Sequence, residues 1–250
     1  MTTIFSGKFG DDLPNIEAIH KRFQEIQKLG IKIYGIHFHC GSGSSSFSKA
    51  IDLARECMKI GREYGHTMKL LDVGGGYPTG IIQENILTAL KKTKDDPLGY
   101  DVIAEPGRHF SANTCYLLFR VMAKRIKQGK LCYHVNDSYY HSFNCLITDG
   151  VTFENQNDQF YGVQTSDLTD INITDQQNVS IFGMTCDGAD IIANNIKLPN
   201  NIEVGDWLCM GGMGSYTIGP KSKFNGMKCT TKVYKWACKI KEQGQKQSLI

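Results

Sequence analysis

Short apolar runs alternate with amphipathic helical patterns through the first half of the sequence, and this alternation constrains the fold more than any other feature. The apolar runs are "IKIYGIHFHC", "MKLLDVGGG" and "DVIAEPGR". Apolar residues recur at helical spacing before and between these runs, over residues 14–29, 47–58 and 86–91. Strands that alternate with helices predict a parallel β/α architecture for this part of the chain.

After about residue 113 the pattern changes to β-prone segments divided by Gly, Asn and Asp turns. These segments are "LCYHVND", "INITDQQNVSIFGM", "DWLCMGG" and "KCTTKVYKWACK". They predict an antiparallel β domain. The segment "CYLLFRVMAKRIK" fits a helix or a strand, and we interpret it as the strand that bridges the two parts. We therefore predict two domains, residues 1–113 and 114–250.

Composition excludes several classes of function. The net charge of +3, without a basic stripe, argues against nucleic-acid binding. No apolar run approaches the length of a membrane span, and "MTTIFSGKFGDDLP" resembles neither a signal nor a transit peptide. The nine cysteines contain no CxxC pair, which favours reduced thiols in a cytoplasmic protein.

Unusual residues follow the three strands of the first half, where β/α barrels place their chemistry. Gly74, Gly75 and Gly76 would let backbone N–H groups approach an anion such as phosphate, although a tight turn also explains a glycine run. Neither "GGGYPTG" nor "GSGSSS" fits a nucleotide-binding fingerprint.

The third strand end, "AEPGRHF", adds two charges to these glycines. Glu105 could hold a ring nitrogen protonated and Arg108 could bind a phosphate, although a surface ion pair would explain them equally well. His39 offers a flat ring, or it is a core histidine. Together the strand ends suit a phosphorylated heteroaromatic cofactor, for which pyridoxal phosphate is the obvious candidate.

A metal site is the alternative interpretation of these strand ends. The motif "HFH" places His37 and His39 on one face of a strand, as metal-binding hydrolase barrels often do. Such a site needs further His or Asp ligands, and the later strand ends offer Gly-Gly-Gly and Glu-Pro-Gly-Arg instead. We therefore predict no metal.

The segment "TCDGAD" sets a thiol beside a carboxylate. Cys186 precedes Asp187, and Asp190 follows three residues later. From these residues alone, Cys186 is either a buried structural cysteine or a proton donor.

In combination these segments resemble the eukaryotic-type ornithine decarboxylase family, pyridoxal-phosphate enzymes of the alanine-racemase-like fold type III. The matching segments are "HFHCGSG", "LLDVGGGYP", "IAEPGRHF", "YHVNDSYYHSFNCLITDG", "TCDGAD", "VGDW" and "MGSYT", which extend from "KFG" at Lys8 to "FNGM" at Met227. The resemblance implies a partial β/α barrel of the TIM type, followed by an antiparallel β domain. It implies conversion of ornithine to putrescine and carbon dioxide in polyamine biosynthesis.

The same resemblance assigns roles to particular residues. The residues implied to bind the cofactor are His39 by stacking, Glu105 at the pyridinium nitrogen, and Ser42, Gly74, Gly75, Gly76, Arg108 and Tyr216 at the phosphate. Cys186 is implied to be the proton donor, a general-acid role. Asp149 and Asp187 are implied to bind the distal ammonium of ornithine. Lys8 and Asp190 match a pair that bridges a homodimer whose active sites are shared between chains.

Two departures from the family pattern bear on these assignments. Thr148 and Gly150 flank Asp149, where the family usually has an aromatic residue and a histidine. An aspartate at this position suits ornithine better than arginine, and "CDG" differs from the "CES" pattern of diaminopimelate decarboxylases. The second departure is the Schiff-base lysine, which the resemblance places in a segment like "AVKCN" well before "KFG".

We therefore expect the sequence to be the carboxyl-terminal portion of a decarboxylase. About 140 residues of a barrel of about 250 would precede it. Two alternatives stay open: a non-catalytic, decarboxylase-like partner or regulatory subunit that dimerises with a full-length chain, and a degraded product without a stable fold.

Overall fold

The computed structural model describes residues 9–11, 13, 15–148, 160–163 and 176–228, with only the backbone of 160–163. Its first part contains three helices and three short strands in alternation. In chain order these are α1 (Ile16–Lys28), β1 (Gly35–His37), α2 (Ser48–Glu63), β2 (Leu70–Asp72), α3 (Glu84–Lys94) and β3 (Asp101–Ile103). The strands pair in parallel in the order β1-β2-β3, which confirms the predicted β/α architecture.

Local sequence explains where these helices begin and which face they bury. The Asn15 side chain accepts a hydrogen bond from the Ala18 N–H and caps α1. Ile19 and Phe23, four residues apart, form the buried face of α1. Gly30 follows α1 at a φ of 68°, a conformation that favours glycine at a helix end.

Apolar side chains from the helices and strands form two packed clusters in this part. One lies between α2, α3 and the sheet, and its fully buried members are Phe47, Ile51, Leu71 and Ile86. The other lies between α1 and α2 and includes Ile19, Met58 and Met68. The helices therefore cover the sheet on the side away from its exposed strand β3.

A short helix, α4 (Gly107–Ser111), and a 3-10 turn at Ala112–Thr114 lead into the second part. Its elements are β4 (Leu117–Lys127), β5 (Lys130–Val135), α5 (Cys145–Thr148), β6 (Phe160–Val163), β7 (Gln176–Phe182), β8 (Ile191–Pro199) and β9 (Trp207–Met210). The segment that fitted a helix or a strand is β4. It pairs with β9 through its first residues and with β5 through its last, which confirms the predicted bridging strand.

The second sheet has the order β6-β9-β4-β5-β7-β8. Four of its five described pairings are antiparallel, as the sequence predicts, and β5 and β7 pair in parallel. The connection between β5 and β7 extends from Asn136 to residue 175. It is therefore long enough to return the chain in the same direction, which a hairpin cannot do.

Alternate residues of these strands form the second core. Phe119, Tyr133, Ile181, Leu198 and Leu208 are all 1% exposed or less. The Phe119 and Phe143 rings meet edge to face at 5.2 Å.

Two sequence predictions lie partly or wholly beyond what the structure describes. Of "KCTTKVYKWACK", only Lys228 is among the described residues, and the domain boundary at residue 113 stays a prediction. Among the described helices, none has the length and hydropathy needed to cross a membrane.

Candidate functional site

The carboxyl ends of the three parallel strands bring His37, Asp72 and Glu105 together. The strand register sets His37 opposite Asp72, and Asp72 opposite Ile103, two residues before Glu105. His37 Nε2 lies 3.6 Å from a carboxylate oxygen of Glu105. The potential ligand atoms of all three residues lie within 4.8 Å of one another.

His39 is not a core histidine, because its side chain is exposed at this edge of the sheet. Its Nδ1 atom accepts a hydrogen bond of 2.9 Å from the Gly41 N–H. The ring is thereby held beside Gly75, where an added Cβ would lie 3.0 Å from His39 Nε2 and 3.0 Å from the Glu105 carbonyl oxygen. A glycine at this position keeps the space between the ring and the third strand end open.

The glycines after β2 allow the three strand ends to approach closely. A Cβ at Gly74 would clash with the Phe38 carbonyl, and one at Gly76 would clash with the Gly41 carbonyl. Both glycines have positive φ, which L side chains rarely adopt. The Gly74 N–H donates to Asp72 Oδ1 at 2.8 Å, so this group is already engaged within the turn. The glycine run is thus a tight turn and also the floor of the space beside His39.

Ser42, Arg108 and Tyr216 converge from three separate segments. Arg108 Nη2 donates to Ser42 Oγ at 3.2 Å, and the guanidinium carbon lies 4.6 Å from the centre of the Tyr216 ring. Tyr216 has a φ of 54°, which is uncommon for a residue other than glycine. One cation and two hydroxyl groups at this point make a setting for an anion.

Tyr216 belongs to the loop that follows β9, and that loop packs directly on α4. Ser111 and Ser215 share a hydrogen bond of 2.7 Å between their hydroxyl groups. Gly214 approaches so closely that an added Cβ would clash with the Ser111 carbonyl. This contact joins the second sheet to the strand-end site of the first.

A phosphorylated heteroaromatic ring fits the chemistry of this group of side chains. Arg108, with the hydroxyls of Ser42 and Tyr216, suits the phosphate. Glu105 suits a protonated ring nitrogen, and the exposed face of His39 suits the ring plane. The glycines leave the room that such a ring needs, because a Cβ at Gly75 would intrude between His39 and Glu105.

The same strand ends also supply what the metal alternative lacks in the sequence. Asp72 was not considered as a ligand, yet it lies within reach of both His37 and Glu105. One imidazole and two carboxylates are a donor set that a divalent cation can use. The neighbouring cation Arg108, however, favours an anionic ligand, which is why we prefer the cofactor.

A second group of functional side chains surrounds Cys186 and Asp187 in the loop between β7 and β8. Asp187 Oδ2 accepts a hydrogen bond of 2.5 Å from the Tyr140 hydroxyl, and Oδ1 accepts one of 3.0 Å from the Ala189 N–H. These donors, the Ala189 N–H first, hold the pKa of Asp187 below its ordinary value. The bond to Asp187 raises the pKa of Tyr140 to about 12.

The thiol of Cys186 is exposed, so it is not the buried structural cysteine of the alternative interpretation. The Asn225 amide donates to its sulfur at 3.0 Å. Phe224, the preceding residue, stacks its ring on Tyr140 with centroids 4.1 Å apart. Sequence reasoning gave no role to Tyr140, Phe224 or Asn225. The Asn-Gly pair at Asn225 signals a turn, but nothing in the sequence shows what that turn contacts.

Asp190 is 2% exposed and serves the structure of its own domain. Its carboxylate accepts hydrogen bonds from the Tyr139 N–H, the Ser138 hydroxyl, and both the N–H and the hydroxyl of Thr185. These bonds close the loop that carries Cys186. The dimer role of Asp190 stays a prediction, and its expected partner Lys8 lies outside the described residues, as does Asp149.

Comparison with known proteins gives these groups a context. Residues 1–112 match the family described as "Pyridoxal-dependent decarboxylase, pyridoxal binding domain". Ornithine decarboxylase of Saccharomyces cerevisiae is 34% identical over 249 residues, covering 91% of this chain and 53% of the relative. Antizyme inhibitor 2 of Xenopus laevis is 33% identical over 248 residues, covering 88% and 50%.

A solved structure shows the same likeness. The arginine decarboxylase of Paramecium bursaria Chlorella virus superposes with a TM-score of 0.74 at 30% identity, covering 88% of this chain and 58% of that chain. The present chain thus spans about half the length of the curated relatives it matches. The predicted fold class, a partial barrel followed by a β domain, is confirmed.

Proposed function

Because the chain belongs to the pyridoxal-dependent decarboxylase family that includes its ornithine decarboxylase relatives, we propose that it takes part in the decarboxylation of L-ornithine to putrescine and carbon dioxide, a step of polyamine biosynthesis. The observation that carries this proposal is the meeting of Ser42, Arg108 and Tyr216 at the strand ends that also hold His39 and Glu105.

Pyridoxal 5'-phosphate is the cofactor for which these residues are suited. When bound, it supplies an electron sink for the bond that breaks on loss of carbon dioxide. Glu105 would keep the ring nitrogen protonated, and the ring of His39 would lie against the cofactor plane. Arg108, Ser42 and Tyr216 would bind the phosphate, next to the turn of Gly74, Gly75 and Gly76.

Asp187 is suited to the distal ammonium of the substrate. Its lowered pKa keeps the carboxylate ionised at neutral pH, and two hydrogen bonds fix its orientation. Asp149 would be the second carboxylate. A pair of short aspartates favours ornithine, and arginine is the competing substrate because the viral relative is an arginine decarboxylase.

Cys186 is suited to donate the proton that replaces the lost carboxylate. Its thiol is exposed in the same loop as Asp187, so a substrate held by Asp187 would pass close to it. In this role Cys186 is a general acid whose proton reaches the substrate carbon.

A homodimer with shared active sites is the assembly that this arrangement supports. The exposure of Cys186 leaves its loop accessible to a second copy of the chain, whose strand-end group would complete the site. Lys8 and Asp190 would bridge the two copies. We place the protein in the cytoplasm, in keeping with its cysteines, none of which occurs in a CxxC pair.

The test is product formation by the native protein with pyridoxal phosphate. Release of carbon dioxide and putrescine from labelled ornithine, well above release from arginine or lysine, is the expected result. Glu105→Ala should abolish most of this turnover, because the ring nitrogen would lose its carboxylate partner. Normal turnover by Glu105→Ala would refute the role of Glu105, and absence of putrescine in the native protein would refute the function.

A non-catalytic partner is the second candidate, and its support is the 33% identity to antizyme inhibitor 2. Such a chain would pair with an active decarboxylase without turning over ornithine itself. Against it, Cys186, Asp187, Glu105, Arg108 and Tyr216 all stand at their expected positions. The spectrum of bound pyridoxal phosphate distinguishes the two, because a partner that has lost cofactor binding would show no absorbance from it.

A further inference from the structure

The 3-10 turn at Phe224–Gly226 carries the closest polar contact to the proposed proton donor. Asn225 Nδ2 lies 3.0 Å from Cys186 Sγ, a short distance for a hydrogen bond to sulfur. The two residues are 39 positions apart in the chain, so only the tertiary fold brings them together.

The backbone of this turn is unusual. Asn225 has a φ of 56° and a ψ of 20°, the left-handed region, and Gly226 follows at a φ of 69°. Outside glycine, asparagine is among the few residues that enter this region readily. An outlier of this kind is held only where the surrounding contacts demand it, and such outliers gather at functional sites.

Several contacts with Tyr140 hold the turn in place. The Tyr140 carbonyl accepts hydrogen bonds from both the N–H and the hydroxyl of Ser222, at 3.1 Å and 2.8 Å. Ser222 Oγ in turn accepts from the Phe224 N–H, and the Phe224 ring stacks on Tyr140. Tyr140 also donates to Asp187. One tyrosine therefore fixes both the carboxylate beside the thiol and the turn that carries Asn225.

We propose that Asn225 is the positioning residue for Cys186. This rests on the proposed function, in which the S–H bond of Cys186 breaks and its proton forms a C–H bond with the substrate carbon that has lost carbon dioxide. The electron pair of the S–H bond stays on sulfur as a thiolate. The Asn225 N–H holds the sulfur in place before the transfer and stabilises its negative charge afterwards.

The neighbouring charge explains why such a donor is needed. Asp187 is ionised directly beside Cys186, and a nearby negative charge opposes formation of a second one. A hydrogen-bond donor aimed at the sulfur offsets this repulsion. Among the described residues, Asn225 is the one whose hydrogen bond to this sulfur is seen.

The test measures the thiol directly, without substrate or cofactor. Alkylation by iodoacetamide follows the thiolate, and peptide masses report Cys186 separately from the exposed Cys115, which serves as the internal reference. Asn225→Gly keeps the positive φ and removes the amide, so labelling of Cys186 relative to Cys115 should slow roughly fivefold. Asn225→Asp keeps the shape and replaces the donor by a carboxylate, so labelling should slow further.

Lys223→Ala is the matched control in the same turn, because the side chain of Lys223 is exposed and its backbone carbonyl, which accepts from the Gly226 N–H, is retained. Its labelling should equal that of the unaltered protein. If Asn225→Gly and Asn225→Asp label Cys186 at the unaltered rate, or if both cysteines change in parallel, the proposal is overturned.

The labelling result and the activity result separate the two levels of inference. Slowed labelling in a protein that forms no putrescine would keep the contact between Asn225 and the thiol and would reject the decarboxylase. Unchanged labelling in an active decarboxylase would do the opposite. Thermal melting of Asn225→Gly close to that of the unaltered protein shows that the folded variant was measured.

Discussion

At the scale of single residues, two side chains of the β7–β8 loop take different states because their neighbours differ. Asp187 receives two hydrogen-bond donors and stays ionised, whereas Cys186 receives one donor and is exposed. A carboxylate that binds a cation and a thiol that gives up a proton need these different surroundings. Each role can therefore be removed separately.

Cys186→Ala should reduce ornithine decarboxylation or its fidelity by at least tenfold, because general acid catalysis typically contributes that much or more. Pyridoxal phosphate binding should stay nearly unchanged, since the cofactor residues lie at the strand ends. Product analysis measures the first effect and cofactor absorbance the second. Loss of the cofactor from this variant would show that Cys186 is structural.

Tyr140→Phe should raise the KM for ornithine several-fold while kcat changes less, because Asp187 loses one of the donors that orient it and lower its pKa. Tyr139→Phe is the control, since Tyr139 contacts Asp190 through its backbone N–H and not through its hydroxyl. Steady-state kinetics would contradict this prediction if both variants gave the same KM.

At the scale of elements, α2 is joined to the segment after α3 by one buried charge. The Asp96 side chain, 2% exposed, pairs with Arg55 of α2 and accepts hydrogen bonds from the Leu98 N–H and the Tyr100 hydroxyl. Burial opposes ionisation of Asp96, but these donors together outweigh it and lower its pKa. The packing of α2 against α3 therefore depends on Arg55.

Arg55→Met should destabilise the chain by roughly 3 kcal/mol, because it leaves a buried carboxylate without its cation. Lys59→Ala, on the same helix but in an exposed pair, should cost less than about 1 kcal/mol. Adding Asp96→Asn to Arg55→Met should recover part of the loss. Urea unfolding measures all three, and equal effects of Arg55→Met and Lys59→Ala would rule out the buried pair as the cause.

His66, just after α2, links pH to the stability of the first part. Burial first, and then Lys32, lowers the pKa of His66 below its ordinary 6.5. The unfolded chain therefore binds a proton more readily, and the stability contributed by neutral His66 is complete above pH 6.5 and falls as the pH decreases towards its folded pKa.

His66→Asn should weaken the loss of stability between about pH 7.5 and about pH 5.5. Asparagine can still accept the hydrogen bond from the Ile33 N–H but does not titrate. Part of the pH dependence should persist, because burial also lowers the pKa of His134. Unfolding free energies at the two pH values would contradict the prediction if the variant and the unaltered protein lost the same amount.

At the scale of the whole molecule, the described first sheet has free edges. Its three parallel strands are fewer than the eight of a closed barrel. All residues of β3 are exposed, and a cavity of about 490 Å³ lies beside β1. The strand-end site therefore stands at the margin of the described sheet, where further chain or a partner would enclose it.

If the active unit is a homodimer with shared sites, two inactive variants of the native protein should restore each other. Arg108→Ala removes the phosphate group's partner and Cys186→Ala removes the proton donor, so a mixed dimer regains one intact site. An equal mixture should recover about a quarter of the unaltered activity. Mixing two batches of one variant is the control, and an inactive mixture would place both residues in sites made by a single chain.

The sequence by itself determined the alternation of helices and strands, because hydrophobic periodicity is local. It also located the strand-end residues His39, Glu105 and Arg108, since a parallel sheet brings its carboxyl ends to one edge whatever else the chain does. The glycines after β2 could be marked as special, but their reason, a close approach to Phe38 and Gly41, is tertiary.

Only the tertiary structure decided the parallel pairing of β5 with β7, because a long connection leaves the direction of return open. It also decided the surroundings of Cys186. The bond from Ser222 to Tyr140 joins residues 82 positions apart, and the contact of Asn225 with Cys186 spans 39. Contacts at such separations leave no periodicity in the sequence, so the residues that orient the thiol become visible only when the chain is folded.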